Sequence, residues 1–354
     1  MAYTTINDAS ANFQYKKYTG NGSDGHQITF DGNSNLQPDL AIAKDLGGGN
    51  WWVWYDSTRG GTKMISSNSN NGEATDNNIT AFNTDGVTLG TANDSNGNGG
   101  TYNLYGWKAN GGSRTTFTES SNNPGGGYQA NTTAGFSIVD YTGTGGAGTV
   151  QHGLGAVPHF ILVKRRNASD SWRVYHKDLG LNGSYPNFLQ LDQTAAKASG
   201  DSGNFTAAPS STVFSVGNYG VVNGNNDTYI AYAFTEKKGY SAFAGYEGNG
   251  NADGPFVYTG FRPKVVIVKN SSNTGIWRIY DNSDQNGFNP IDRYKSLESN
   301  GAEGGTSHPF DFLANGFKVR GTNSDVNSDG DRFAFAAYAD RPFVSSAGVP
   351  SPAH

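Results

Sequence analysis

The chain has 354 residues, 50 of them glycine, with 13% aromatic residues, no cysteine and a formal charge of −5. Aromatics this plentiful beside the glycine exclude a collagen-like or disordered chain, and the length suits two or three domains. The acidic balance argues against a nucleic-acid partner, the missing thiols exclude disulfides and thiolate zinc sites, and no apolar run approaches the ~20 residues of a membrane span.

In chain order, residues 1–17 are polar with isolated Tyr3, Ile6, Phe13 and Tyr15, and lack the apolar core of a secretory signal. They read as an N-terminal arm or a first edge strand. Residues 18–109 are the first of three sequence units and open on Tyr18-Thr-Gly-Asn-Gly. A cassette follows over 38–56: Pro38, an apolar stretch closed by Lys44, a polar turn, then Trp52, Tyr55 and Asp56. The same spacing recurs over 158–176 with Pro158, Lys164, Trp172, Tyr175 and His176, and over 263–281 with Pro263, Lys269, Trp277, Tyr280 and Asp281. Tyr141-Thr-Gly-Thr-Gly and Tyr246-Glu-Gly-Asn-Gly precede these copies, so one unit is used three times.

Leu40-Ala-Ile-Ala, Phe160-Ile-Leu-Val and Val265-Val-Ile-Val are apolar at every position, which predicts strands covered on both sides. After the turn, Trp52, Trp172 and Trp277 alternate with Val53, Arg173 and Arg278, so the latter share a face with the tyrosines. The expectation is a dry face on which Trp52, Trp172 and Trp277 plug the core of each unit. The opposite face is expected to be wet, with Tyr55, Arg173, Tyr175, Arg278 and Tyr280 as a ligand-stacking surface. A covering second layer is the plain alternative for those tyrosines, and His176 reads as a variable surface position.

Each unit closes on an alternating aromatic strand, over 102–107, 229–234 and 333–338. Residues 110–134, with Gly125-Gly-Gly after Pro124, have the composition of a flexible linker. Residues 135–238 and 239–343 are the second and third units, and 344–354 a mobile tail. Short strands without a helical window predict an all-β protein of three tandem antiparallel β-sandwich repeats, with jelly-roll topology compatible.

Side-chain oxygens alternate before each closing strand: Asp94, Asn96 and Asn98; Asn223, Asn225 and Asp227; Asp325, Asn327 and Asp329. The pattern starts like a calcium loop, but the twelfth position, where such a loop needs a bidentate glutamate, holds Tyr105, Phe234 and Ala336. Tight turns are the preferred reading and weak calcium sites the alternative; no other cofactor is expected. The histidines lack zinc-protease spacing, and neither a glycosidase-like carboxylate pair, a nucleophile elbow nor a phosphate loop is present. An enzyme is not expected.

The Tyr-Thr-Gly-x-Gly opening, the proline-led strand ending in lysine, Trp172-Arg-Val-Tyr, Phe136-Ser-Ile-Val-Asp-Tyr-Thr-Gly-Thr-Gly and His152-Gly-Leu-Gly-x-x-Pro158 together resemble repeat proteins of tailed bacteriophages, common in marine and cyanobacterial phages. The similarity covers 18–343. It departs at Glu247, where the other units have threonine, and the His-Gly-Leu-Gly turn occurs only in the second unit. The resemblance implies a virion location, other virion proteins as partners, and a structural role as a tail-fibre or appendage subunit. Three functional expectations follow: host-surface glycan binding through loops on rigid sandwiches, capsid decoration on the head shell, and calcium-dependent lectin-like carbohydrate binding. No heptad marks a coiled-coil trimeriser, which leaves a homotrimer and a single chain of pseudo-threefold shape both open.

Overall fold

The computed structural model describes residues 3–283 and 288–350, and the protein is all-β. The proline-led strands form as their composition predicts: Leu40–Asp45 is buried throughout, and Phe160–Arg165 nearly so. In the first unit Phe13–Thr19, Thr101–Trp107, Leu40–Asp45 and Val53–Asp56 lie side by side in that order, joined by antiparallel ladders. The same order recurs in the second with Phe136–Thr142, Thr228–Phe234, Phe160–Arg165 and Arg173–His176. It recurs again in the third with Ser241–Glu247, Arg332–Pro342, Phe261–Asn270 and Arg278–Asp281.

A smaller antiparallel layer belongs to each: His26–Ile28 with Val87–Leu89 and Ile79–Phe82, Gly148–Gln151 with Val213–Val216, and Phe256–Tyr258 with Gly316–Val319. In the third unit Ile291–Ser296 and Gly304–Leu313 join the two layers into one eight-stranded, nearly closed, barrel-like sheet. Small residues between the aromatics of the closing strands admit close packing. A Cβ on Gly106, for example, would lie 2.6 Å from the Phe30 ring.

The Tyr-x-Gly-x-Gly opening has a local cause. One helical turn precedes each closing strand, at Asn93–Asn96, Gly220–Asn223 and Ser324–Asn327, and the opening segment docks on it. The hydroxyls of Tyr18, Tyr141 and Tyr246 donate to the carbonyls of Ser95, Val222 and Val326, each at 2.7 Å. A Cβ on Gly20, Gly143 or Gly248 would sit 2.4, 2.3 or 2.1 Å from a carbonyl oxygen of that turn's C-terminal end, so only glycine allows the approach.

Several expectations need correction. Of the two readings of residues 1–17, the first edge strand is the one the fold contains: Phe13–Thr19 lies at the edge of its sheet and pairs along its length with Thr101–Trp107, and the Tyr3 hydroxyl donates to the Gly260 carbonyl of the third unit. The strand precedes its motif in every unit, so a boundary drawn at Tyr18 cuts through it. The presumed linker carries Thr115–Phe117 and Gly125–Asn131, which, with Phe188–Leu189 at the opposite edge, extend the second unit's sheet to seven strands. Its glycines serve close approach, since a Cβ on Gly126 would meet the Asp140 carbonyl at 2.0 Å. In the tail, Val344 bridges to Pro350 and Asn7 exchanges hydrogen bonds with Ser346, while 351–354 fall outside the described residues.

The cassette hairpins have no wet face. Tyr55 packs with Ala41, Leu104, Ile28 and Val87 between the two layers of the first unit, and Tyr175 with Ile161, Val163 and Phe214 in the second. Trp52, Trp172 and Trp277 are buried as expected, but in a core that all three units share around the centre of the molecule. The tryptophans therefore seal units to one another and do not plug separate interiors.

Candidate functional site

The shared centre is bounded by a cycle of equivalent hydrogen bonds. The Trp172 indole N–H donates to the Ser66 carbonyl of the first unit at 2.8 Å, Trp277 to Gln190 of the second at 2.9 Å, and Trp52 to Ser296 of the third at 2.8 Å. Two residues beyond each acceptor, a side-chain oxygen of Asn68, Asp192 or Glu298 receives the backbone N–H of that unit's own tryptophan, at 2.8, 3.0 and 3.0 Å. Each unit thus grips the next, and the third returns to the first. Within the ring lies an apolar cavity of about 30 Å³, lined by Ile42, Trp54, Leu162, Ile267 and Tyr338 among others.

The cassette lysines follow the same cycle. Lys44, Lys164 and Lys269 have no exposed surface, and their ammonium groups donate to Asn300, Asn70 and Thr194 carbonyls of the neighbouring unit at 3.3, 3.0 and 3.0 Å. Each also ties down its own turn through the carbonyl of Asn50, Asp170 or Gly275. Burial pushes all three ammonium groups down to about 8, although nearby carboxylates such as Asp45, Asp192 and Glu298 oppose the shift. Burial also lifts the Glu298 carboxyl to about 7.

At the last cassette position two seams agree and one departs. Tyr105 donates to Asp281 at 2.5 Å and Tyr232 to Asp56 at 2.7 Å, each across a unit boundary. Burial would raise the Asp281 carboxyl, but Lys295 at 2.9 Å, with the Ser283 and Tyr105 hydroxyls, holds it below the usual carboxylate range. In the third unit the register position of those tyrosines falls to Ala336, and its partner position is His176. His176 is buried, not a surface position: Nε2–H donates to the Phe335 carbonyl at 3.0 Å and Nδ1 accepts the Asp178 N–H at 3.2 Å. A neutral ring makes both bonds, and burial lowers its pKa to about 4. Loss of the tyrosine and gain of the histidine compensate each other.

The expected ligand-stacking surface is enclosed. Tyr55, Tyr175 and Tyr280 are buried; Tyr55 donates to Asp76, and Tyr280 stacks on Phe310 with centroids 4.2 Å apart. Arg278 is buried over the Tyr294 ring and paired with Asp325 at 2.6 Å, while half-buried Arg173 lies over Phe188 and donates to Asn204. The plain alternative, a second covering layer, is what the fold contains.

The alternating Asx positions are likewise engaged with protein. Asn96, Asn223 and Asn327 are fully buried, and their side-chain oxygens accept the backbone N–H of Asn21, Thr144 and Asn249. Asp227 pairs with Arg165, and Asp94 and Asp325 accept the backbone N–H of Trp51 and Ile276. The β-carbons of Asn98, Asn225 and Asp329 lie 3.2, 3.1 and 3.1 Å from where a Cβ on Gly22, Gly145 or Gly250 would stand. Among the described residues, no group of three or more acidic or histidine side chains is placed to hold a metal ion.

A pocket of about 280 Å³ lies on the first unit, lined by Trp51, Met64, Ser66, Asn71, Gly72, Ala74 and Asp94. Sequence reasoning passed over Trp51 because it precedes the repeating tryptophan and has Ser171 and Ile276 as counterparts. Its departure from the repeat was the available signal.

Fold and site together define an all-β scaffold whose buried indoles, lysines and Tyr–Asp pairs bind one unit to the next. The chain belongs to the family described as a domain of unknown function, DUF7483, whose model matches residues 8–342 and so takes in all three cassettes. No curated protein and no solved structure matches it.

Proposed function

We propose that the protein is a bacteriophage virion structural component, a tail-fibre or other appendage subunit, built of three tandem antiparallel β-sandwich repeats and binding host-surface glycan through its loops. The observation that carries this reading is the cycle of Trp172, Trp277 and Trp52 onto the neighbouring units. Such closure makes a rigid body, takes both faces of every cassette hairpin out of water, and leaves the rim loops as the surface free to vary. The resemblance of the cassettes to tailed-phage structural proteins supports the virion location. Capsid decoration is the second reading, favoured by the same cycle, because a pseudo-threefold chain fits a local threefold position of a shell. Immuno-electron microscopy of the particle separates the two. Label on the tail is expected; label confined to the head shell would overturn the appendage reading in favour of decoration, and particles without label would reject both.

A further inference from the structure

The first unit carries a feature that the other two lack. Trp51 is half-buried, whereas the other five tryptophans are at most 4% exposed. It lines the 280 Å³ pocket together with Asp94 and Asn71. Asp94 Oδ1 accepts the Trp51 backbone N–H at 2.9 Å, which ties the carboxylate to the main chain at Trp51, and both residues line the pocket; Oδ2 makes no hydrogen bond among the described residues. The Asn71 side-chain amide is exposed and also makes none, its backbone N–H being held by Ser69.

Comparison with the other units shows what has changed. The equivalent of Asp94 is Val221 in the second unit and Asp325 in the third. Asp325 likewise holds the turn through the Ile276 N–H, but its Oδ2 is neutralised by Arg278 at 2.6 Å. In the first unit the position of that arginine is Val53, so the matching oxygen of Asp94 keeps its acceptor capacity. One copy of the unit therefore exchanges an arginine for an open carboxylate oxygen, acquires an indole, and has a cavity in front of both.

The geometry points to a saccharide subsite: Trp51, Asp94 and Asn71 bind one neutral pyranose residue, the indole packing on an apolar ring face, Asp94 Oδ2 accepting from ring hydroxyls and the Asn71 amide completing the polar contacts. An aromatic side chain with an apolar body suits the C–H face of a sugar, and a carboxylate accepts hydroxyl protons in charge-assisted bonds. The volume lies just below the usual range of small-molecule sites, about 300–1,000 Å³, and suits one ring, not a chain. This inference rests on the glycan-binding reading above and locates it on the first unit, away from the Tyr/Arg face.

The test uses the full chain labelled with nitrogen-15 in tryptophan, whose six indole N–H signals report separately. Methyl β-galactoside, methyl β-glucoside and N-acetylglucosamine are titrated in turn, and Trp51→Phe, in which the packed ring is kept, assigns the signal. The expected result is a saturable shift of the Trp51 indole signal with at least one of the sugars. Asp94→Asn weakens it roughly tenfold, as for one charge-assisted hydrogen bond, without lowering the melting temperature by more than a few degrees. No movement of that signal with any sugar, or equal affinity in Asp94→Asn, overturns the subsite. A glycan array probed with the same proteins separates the two levels. Array binding unchanged in both variants rejects this subsite and leaves glycan adhesion standing, whereas a blank array beside a moving Trp51 signal keeps the subsite and rejects adhesion.

Discussion

Replacing Trp172 by alanine tests whether the ring is one cooperative body. The side chain is fully buried, its ring centroid 5.3 Å from that of Trp54 in the first unit and 6.4 Å from that of Tyr232 in its own. Emptying an aromatic site of this kind costs about 3–5 kcal/mol. The Ser66 carbonyl also loses its donor, which adds about 1–3 kcal/mol where water cannot replace it. Because the two losses share one site and add incompletely, the expected total is about 4–6 kcal/mol, with about 1–3 for Trp172→Phe, which keeps most of the packing. Guanidinium unfolding followed by fluorescence and circular dichroism gives the total. Hydrogen exchange by residue range shows where it is felt. A closed ring predicts one transition at lower denaturant, with faster exchange over 66–70 of the first unit and over 296–300 at the seam between the third and first. A biphasic curve in which the first and third units unfold at the wild-type midpoint would refute the cycle as the source of cohesion.

Three further outcomes follow from the seams and the turn clamps. His176 has a folded pKa of about 4 against an ordinary 6.5, so below pH 6.5 the unfolded chain takes up a proton that the folded chain refuses. Stability is therefore lost as pH falls from about 6.5 towards 4, by up to about 3 kcal/mol at this site, and His176→Gln should flatten that part of a urea-midpoint profile. Restoring aspartate at this position destabilises the protein although both other seams use it: in His176→Asp the carboxylate faces the Phe335 carbonyl without a tyrosine donor, a loss of about 3–5 kcal/mol by chemical unfolding. Asn327→Ala removes an amide that accepts from the Asn249 N–H and donates to the Asn251 and Gly321 carbonyls, and should lower stability by about 2–4 kcal/mol; an unchanged melting temperature would reject the clamp.

The role of Lys44, Lys164 and Lys269 shows where sequence reasoning reaches its end. Their identical spacing was plain in the repeat, but their acceptors are backbone carbonyls of Asn300, Asn70 and Thr194, and the indole acceptors are those of Ser296, Ser66 and Gln190. Any residue supplies a carbonyl, so side-chain identity there carries no signal. The Asx positions left tight turns and calcium sites both open for a related reason. Amides that clamp a turn and oxygens that bind calcium need the same residue types at the same spacing, and only the partners distinguish them.

Local pattern was sufficient for the triplicated unit, the apolar strand between proline and lysine, the alternation of indole and tyrosine, and the all-β class, because strand formation and side-chain alternation depend on neighbours close along the chain. Which face of each hairpin meets what was decided only by tertiary structure. Alternation states that tryptophan and tyrosine point opposite ways. That the tyrosines lie under a second layer, the repeating tryptophans in a centre common to three units, and Trp51 at the 280 Å³ pocket of the first unit depends on contacts between residues far apart in the chain, such as Trp52 with Ser296.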